Sequence, residues 1–252
     1  MLLKRGWDIR RVTSRESQKR AEWHQRELRQ WGILKTWNPE LVLDIGANTG
    51  QFAALVRQLL PTTQIVSFEP LQSCFDELMN RTDQLSPIRC YHCALGEKNE
   101  TSQIFRNESS PSSSLLEMQE LHKAEIPETS RTSAETIQIR RLDDLSEELS
   151  LPNNVVAKID VQGYTSPVLR GGEKTLRKCR AIIAEVSLQP LYRGETTFDE
   201  AYEMLTGWGF RYQGNIDQWV SRRDGRILQC DCIFERVQEN DPDTSETLSR
   251  QK

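Results

Sequence analysis

Leu41-Val42-Leu43-Asp44-Ile45-Gly46-Ala47-Asn48-Thr49-Gly50 is the stretch from which the rest of the chain can be read. Apolar residues with one acid among them run into a glycine, and then Phe52, Leu55, Val56 and Leu59 recur at helical spacing. This pattern predicts a buried parallel strand, a tight turn and a helix over 51–60, the opening of a nucleotide-binding α/β domain. Glycine lets the turn's backbone approach a ligand, and the helix behind it offers unpaired N–H groups. The glycine spacing is G-x-x-x-G, with Asn48 where a dinucleotide fingerprint has its second glycine. Pyrophosphate binding is therefore disfavoured, and with it a nucleotide-dependent oxidoreductase.

The next strand, Gln64 to Phe68, ends at Glu69-Pro70, nineteen residues after Gly50. An acid at the tip of a second strand is placed to take both hydroxyls of a ribose in a bidentate hydrogen-bonded pair. A smaller ligand with its ribose and amino-acid end over the turn, such as S-adenosylmethionine, fits these residues better than a dinucleotide. Asp44, Gly46, Ala47, Asn48, Gly50, Glu69 and Pro70 are the candidate cofactor residues. Ala94 and Leu95 join them, because they follow the third strand at the carboxyl edge of the sheet, where an adenine ring would lie. The plainer alternative makes Asp44 a satisfied turn residue and Glu69 a cap for the following helix, with Pro70 in its first turn. Finding both acids in register on successive strands favours the cofactor.

The chain has 252 residues, enough for one α/β domain with a good core. A net charge of −4 argues against a nucleic-acid binder held by phosphate contacts. No apolar run reaches the length of a membrane span and the first residues lack the apolar core of a leader, so a cytoplasmic location is expected. Cys90 and Cys93 have a ligand-like spacing, but period-two alternation along Ile88 to Leu95 would point them to opposite faces, and Cys230 and Cys232 lack that spacing. The six cysteines are read as structural thiols and no metal is expected.

Residues 1–37 read as a helical extension, 38–237 as one catalytic-type domain and 238–252 as a polar, disordered tail. His92 lies on the predicted strand Ile88 to Cys93 and is considered as a general base. Thr101 to Phe105 and Thr136 to Arg140 alternate like strands, with the Ser-rich stretch 109–116 between them, where an acceptor loop containing Ser113 and Ser114 could grow. Val155 to Tyr164 is a second informative stretch: a buried strand delivers Lys158, Asp160 and Gln162 on one face and ends in a glycine turn before Tyr164. Charges in a central strand are costly without partners, so they should face a site or one another. Glu185 closes the next strand, Ala181 to Val186, and the segments from Phe210 to Phe234 read as an antiparallel hairpin completing the sheet.

With LVLDIGANTGQF, VSFEP, CALG, SSSL, TIQIRRLDDL, AKIDVQGYTSPVLRGGEKTL, IIAEVS and DCIFER in this order, the chain resembles the FkbM family of S-adenosylmethionine-dependent methyltransferases over roughly residues 38–237. The resemblance implies a class I, Rossmann-like α/β fold: a doubly wound, mostly parallel seven-stranded sheet with a C-terminal antiparallel hairpin. It also implies methyl transfer to a hydroxyl of a sugar, glycan or secondary metabolite. Asp44, Gly46, Asn48, Gly50 and Glu69 would then line the cofactor, and Asp160 and its neighbours would face the reacting methyl. Asp160 is the first candidate for the base that takes the hydroxyl proton, with Glu185, His92 and Lys158 beside it and Ser113, Ser114, Gln162 and Tyr164 toward the acceptor. The family usually carries an acid after the aromatic residue, where this chain has Thr165-Ser166-Pro167. A methyltransferase fold used only to bind a partner is the non-enzymatic alternative; the oligomeric state is left open.

Overall fold

The computed structural model describes residues 18–19, 21–107 and 110–237. Ten strands run β1 Leu41–Ile45, β2 Gln64–Phe68, β3 Ile88–Tyr91, β4 Ala94–Leu95, β5 Glu100–Asn107, β6 Thr132–Arg140, β7 Val155–Ile159, β8 Ala181–Ser187, β9 Phe210–Val220 and β10 Ile227–Arg236. The helices are α1 (21–30), α2 Ile33–Trp37, α3 Gln51–Leu59, α4 Gln72–Met79, α5 Thr82–Leu85, α6 Glu120–Glu125, α7 Leu142–Leu149, α8 Thr165–Gly171, α9 Glu173–Leu176 and α10 Phe198–Gly207.

Seven strands form one sheet in the order β3-β2-β1-β7-β8-β10-β9. β3, β2, β1, β7 and β8 are parallel, while β10 pairs antiparallel with both β8 and β9. The chain winds outward from β1 in one direction, then crosses back to start β7 on the other side. Beyond the carboxyl ends of β1 and β7 the crossover connections diverge, which opens the crevice where ligands bind in such sheets. β1 and β7 are buried along their whole length, as central strands covered on both faces must be.

Alternation divides the core into two layers. Leu41, Leu43, Ile45, Ala157 and Ile159 face one side with α7, α8 and α10. Val42, Val156 and Ile183 face the other, where Phe52, Leu55 and Val56 of α3 pack with Trp31, Leu34 and Trp37. The segment before β1, α2 and the turn preceding it, therefore buries three large side chains in the second layer. The paired residues Asp44 and Lys158 lie on this same side of the sheet, since each is two residues beyond one of its core positions.

The reading of the third strand through Cys93 is corrected: β3 ends at Tyr91. Glu69 N–H takes the Tyr91 carbonyl at 3.1 Å, and Cys93 N–H turns back onto the same carbonyl at 3.0 Å, so the chain leaves the sheet there. Ala94 and Leu95 instead start a small second sheet, β4-β6-β5, in which β5 and β6 are antiparallel over eight residue pairs. Its inner residues Ile104, Ile137 and Ile139 pack on Leu71 and Cys74, placing it over the carboxyl edge of the main sheet. β9 is also continuous from Phe210 to Val220, where alternation in the sequence suggests two short pieces, Phe210 to Tyr212 and Gln218 to Val220. The tail expected from residue 238 lies outside the described residues. Among the described residues, no helix is long and apolar enough to cross a membrane.

Candidate active site

Three backbone ends meet at the switch point. Gly46 and Ala47 N–H groups both donate to the Phe68 carbonyl at 3.0 Å, and Asp160 N–H donates to the Ile45 carbonyl at 2.9 Å. Gly46 has φ +88°, and a Cβ there would stand 1.8 Å from the Asp160 carbonyl oxygen. Only glycine allows the ends of β1 and β7 to approach so closely. Asn48 follows at φ 48°, a left-handed conformation that Asn tolerates, and its side-chain Oδ1 accepts from Thr49 N–H at 2.8 Å.

Glu69 lies at the end of β2, 4% exposed. Its Oε2 accepts from Asn48 N–H and its Oε1 from Leu71 N–H, both at 2.8 Å. Burial raises its pKa to about 7, although the two N–H groups pull the other way. A carboxylate has about four lone-pair positions, so two further donors can be accepted.

These residues border a cavity of about 360 Å³, a volume suited to a small-molecule cofactor with room for an acceptor's reactive end. Gly46, Ala47 and Asn48 form one side, Phe68 to Leu71 with Ala94 and Leu95 another, and Ile104, Pro111, Ser113 and Leu115 of the insertion cover it. The lining also includes Trp31, Phe52, Lys158, Asp160, Gln162 and Tyr164, with Glu27, Asp217 and Asp231. The buried Glu69 carboxylate, with acceptor capacity left and bordering the cavity beside the Gly46–Asn48 turn, is what a ribose-bearing cofactor such as S-adenosylmethionine requires, so the residues fit that group.

Electrostatics along this lining centre on Lys158. Its Nζ is 2.6 Å from Asp160 Oδ2 and 5.4 Å from the centre of the Phe52 ring. Burial alone would discharge this lysine, but the carboxylates of Asp160, Asp231 and Asp44 outweigh it and hold the pKa above the ordinary range. Asp160 is likewise resisted by burial, yet Lys158 and the hydrogen bond from Gln162 keep it below the usual carboxylate range. Glu185 is pushed well above its ordinary value by burial and then by Asp160 and Asp231. Asp231 is raised to about 6, first by burial. Cross-strand register explains the crowding: Asp231 pairs with Glu185 on one side and Asp217 on the other, and Glu185 follows Ala184, the partner of Ile159. Like charges directly opposite repel, so this row exists at a cost that Lys158 only partly offsets.

Several expected residues stand off the cavity wall. Asp44 is fully buried beneath the turn, takes Ser67 Oγ–H at 3.3 Å, and has its pKa raised to about 6 by burial. Gly50, at φ +84°, starts α3 against Leu78. Ser114 Oγ donates to the Gln162 carbonyl at 2.6 Å from behind. Glu185 lies behind Gln162, whose Nε2 donates to it at 2.9 Å. His92 lies outside the cavity: its ring stacks on Phe75 at 4.7 Å, and Nε2 meets the Pro70 carbonyl at 3.0 Å. Sequence reasoning missed Trp31, Phe52 and Asp231 as lining residues: Phe52 reads only as the buried face of the helix after the turn, and no motif spacing connects Trp31 or Asp231 to it. Asp231 opens DCIFER, and its place opposite Glu185 appears only in the strand register.

Residues 44–212, more than half of the chain, match the family described as "Methyltransferase FkbM domain". The chain is 28% identical over 171 residues to the 2-O-methyltransferase NoeI of Sinorhizobium fredii, covering 66% of this chain and 70% of that protein. It is 24% identical over 153 residues to Methyltransferase 1 of Beauveria bassiana, covering 52% of this chain and 57% of that one. Among solved structures it is similar to magnesium protoporphyrin IX methyltransferase from Synechocystis with bound S-adenosylmethionine, at a TM-score of 0.46 and 10% identity, over 86% of this chain and 79% of that one.

Proposed function

The chain belongs to the FkbM family of S-adenosylmethionine-dependent methyltransferases, and from that premise we propose that it methylates a hydroxyl oxygen of a sugar, glycan or secondary metabolite. The observation that carries this reading is the presence of Asp160, paired with Lys158 at 2.6 Å, in the same cavity as the Gly46 turn and Glu69. The 2-O-methyltransferase name of the rhizobial relative supports oxygen as the acceptor atom.

S-adenosylmethionine supplies a methyl group on a positively charged sulfur and leaves as a neutral thioether. Glu69 would accept the cofactor's ribose hydroxyls, since Asn48 and Leu71 N–H groups leave it further lone pairs. The Gly46 turn, which borders the cavity, would present its backbone to the cofactor. Asp160 Oδ1 receives the acceptor's hydroxyl proton while Lys158 holds Oδ2. An alcohol oxygen becomes strongly acidic as it gains a methyl group, so a carboxylate of low basicity suffices as the proton's destination. Holding donor and acceptor in attack geometry is the larger contribution, about 7–11 kcal/mol in well-oriented systems. Ser113 of the insertion and Tyr164 line the acceptor side.

The test is incubation with S-adenosylmethionine labelled in the methyl group and a panel of mono- and oligosaccharides and hydroxylated metabolites, with mass-spectrometric location of the label. Label on a carbohydrate or metabolite oxygen supports the reading. Label on nitrogen, sulfur or carbon would replace it.

A further inference from the structure

Gln162 is the most constrained side chain bordering the cavity. It has a left-handed backbone at φ 50°, unusual for a residue with a long side chain. Its Nε2 lies 3.0 Å from Asp160 Oδ1 and 2.9 and 3.0 Å from the two Glu185 oxygens. An amide nitrogen between two carboxylates can only be a donor, so Oε1 must face the other way. There it meets Tyr192 Oη at 3.0 Å, and an amide oxygen requires that hydroxyl to donate.

The remaining contacts then fall into one order. The Tyr192 proton is committed to Gln162, with the Ser112 carbonyl at 3.3 Å as a second acceptor. His122 Nε2 lies 3.3 Å from Tyr192 Oη. Burial drives the His122 pKa down to about 4, so at neutral pH the ring is uncharged; its Nδ1 lies 3.2 Å from Thr129 Oγ, whose hydroxyl donates to the Ile126 carbonyl at 2.7 Å. Thr129, His122 and Tyr192 are all buried, at 0%, 1% and 1% exposure, so water does not compete for these groups. The Tyr192 hydroxyl and the Gln162 amide thus donate in one direction, toward Asp160 and Glu185, with the His122 ring packed against Tyr192 from behind.

We propose that Tyr192 and His122 are positioning residues, which hold the Gln162 amide between the carboxylates of Asp160 and Glu185 and so fix the geometry of the proton-accepting acid. The inference rests on the reading of this cavity as the methyl-transfer site. The insertion that covers the cavity thereby contributes to its chemistry, since His122 and Thr129 lie between β5 and β6. Without the amide, two carboxylates adjoin with only Lys158 as a cation, and Asp231 and Asp44 add negative charge from β10 and β1. Loss of a donor to the charged acids would raise the pH at which the pair takes up a proton.

The experiment follows the Gln162 side-chain NH2 signals of the ¹⁵N-labelled full chain, assigned by their loss in Gln162→Met. In Tyr192→Phe, which keeps the ring in the core, NH2 exchange with water should accelerate at least about tenfold. The pH midpoint of those signals should rise by roughly half to one unit. His122→Leu should change both in the same direction by less. A folded Tyr192→Phe protein with unchanged Gln162 exchange and midpoint overturns the proposal. If Tyr192→Phe does not fold, unchanged exchange in folded His122→Leu overturns it equally. S-adenosylhomocysteine titration of the same samples tests the underlying reading separately. Binding in all three proteins supports that reading whatever the NH2 signals show, whereas no binding by the wild-type chain removes it.

Discussion

Gly46 and Glu69 illustrate how single residues decide this site. Any side chain at position 46 would drive a Cβ into the Asp160 carbonyl, 1.8 Å away, at a φ of +88° that L residues rarely adopt. Gly46→Ala should therefore cost about 3 kcal/mol or more in denaturant unfolding and abolish cofactor binding. Glu69 makes a prediction of the opposite kind, in which folding works against a charge. Its pKa rises from 4.5 to about 7 on folding, so folding favours the neutral acid. The stability it lends is complete below about 4.5 and is lost as pH rises through about 7. Relative to Glu69→Gln, the cofactor-free wild type should lose up to about 3 kcal/mol across that window, measured as urea midpoints at successive pH values. Asp160 is tested by Asp160→Asn: once an acceptor is found, turnover should fall about a hundredfold while cofactor affinity changes little. Unchanged turnover would remove Asp160 from its role.

Among the elements, α8 and β4 meet so closely that helix propensity gives the wrong sign for one substitution. Alanine is about 1 kcal/mol better than glycine inside a helix. Yet a Cβ on Gly171 would stand 1.8 Å from the Gly96 carbonyl oxygen at the end of β4. Gly171→Ala should destabilise the protein by about 2 kcal/mol or more, and a stabilised variant in thermal unfolding would contradict this packing. The strand–turn–helix at 41–59 and strands β2, β7 and β8 were legible because each carries its own periodicity and turn residues. The small sheet was legible in part: Thr101 to Phe105 and Thr136 to Arg140 alternate as strands and lie in β5 and β6, but β4 has two residues and nothing local signals its pairing with β6, which begins only at Thr132. The same separation hides Trp31 and Asp231, brought to one cavity by packing across the sheet and by antiparallel register, respectively.

At the scale of the molecule, strand order turns a reading of motifs into a place. The order β3-β2-β1-β7-β8-β10-β9 puts Gly46, Glu69 and Asp160 at adjacent carboxyl ends although more than a hundred residues separate the first from the last. The sequence could suggest that arrangement only through resemblance, because spacing along the chain carries no information about which strand lies between which. The contacts from Thr129 to Gln162 were less legible still, since they link the insertion to the β8–α10 connection through buried side chains with no common motif. The central claim, that the crevice between β1 and β7 holds the cofactor through Glu69, is tested most directly by calorimetric titration with S-adenosylhomocysteine of the wild type and Glu69→Ala. The account predicts micromolar binding by the wild type, weakened by about tenfold or more in the variant, as expected for lost charge-assisted hydrogen bonds. Equal affinity of the two proteins would contradict it.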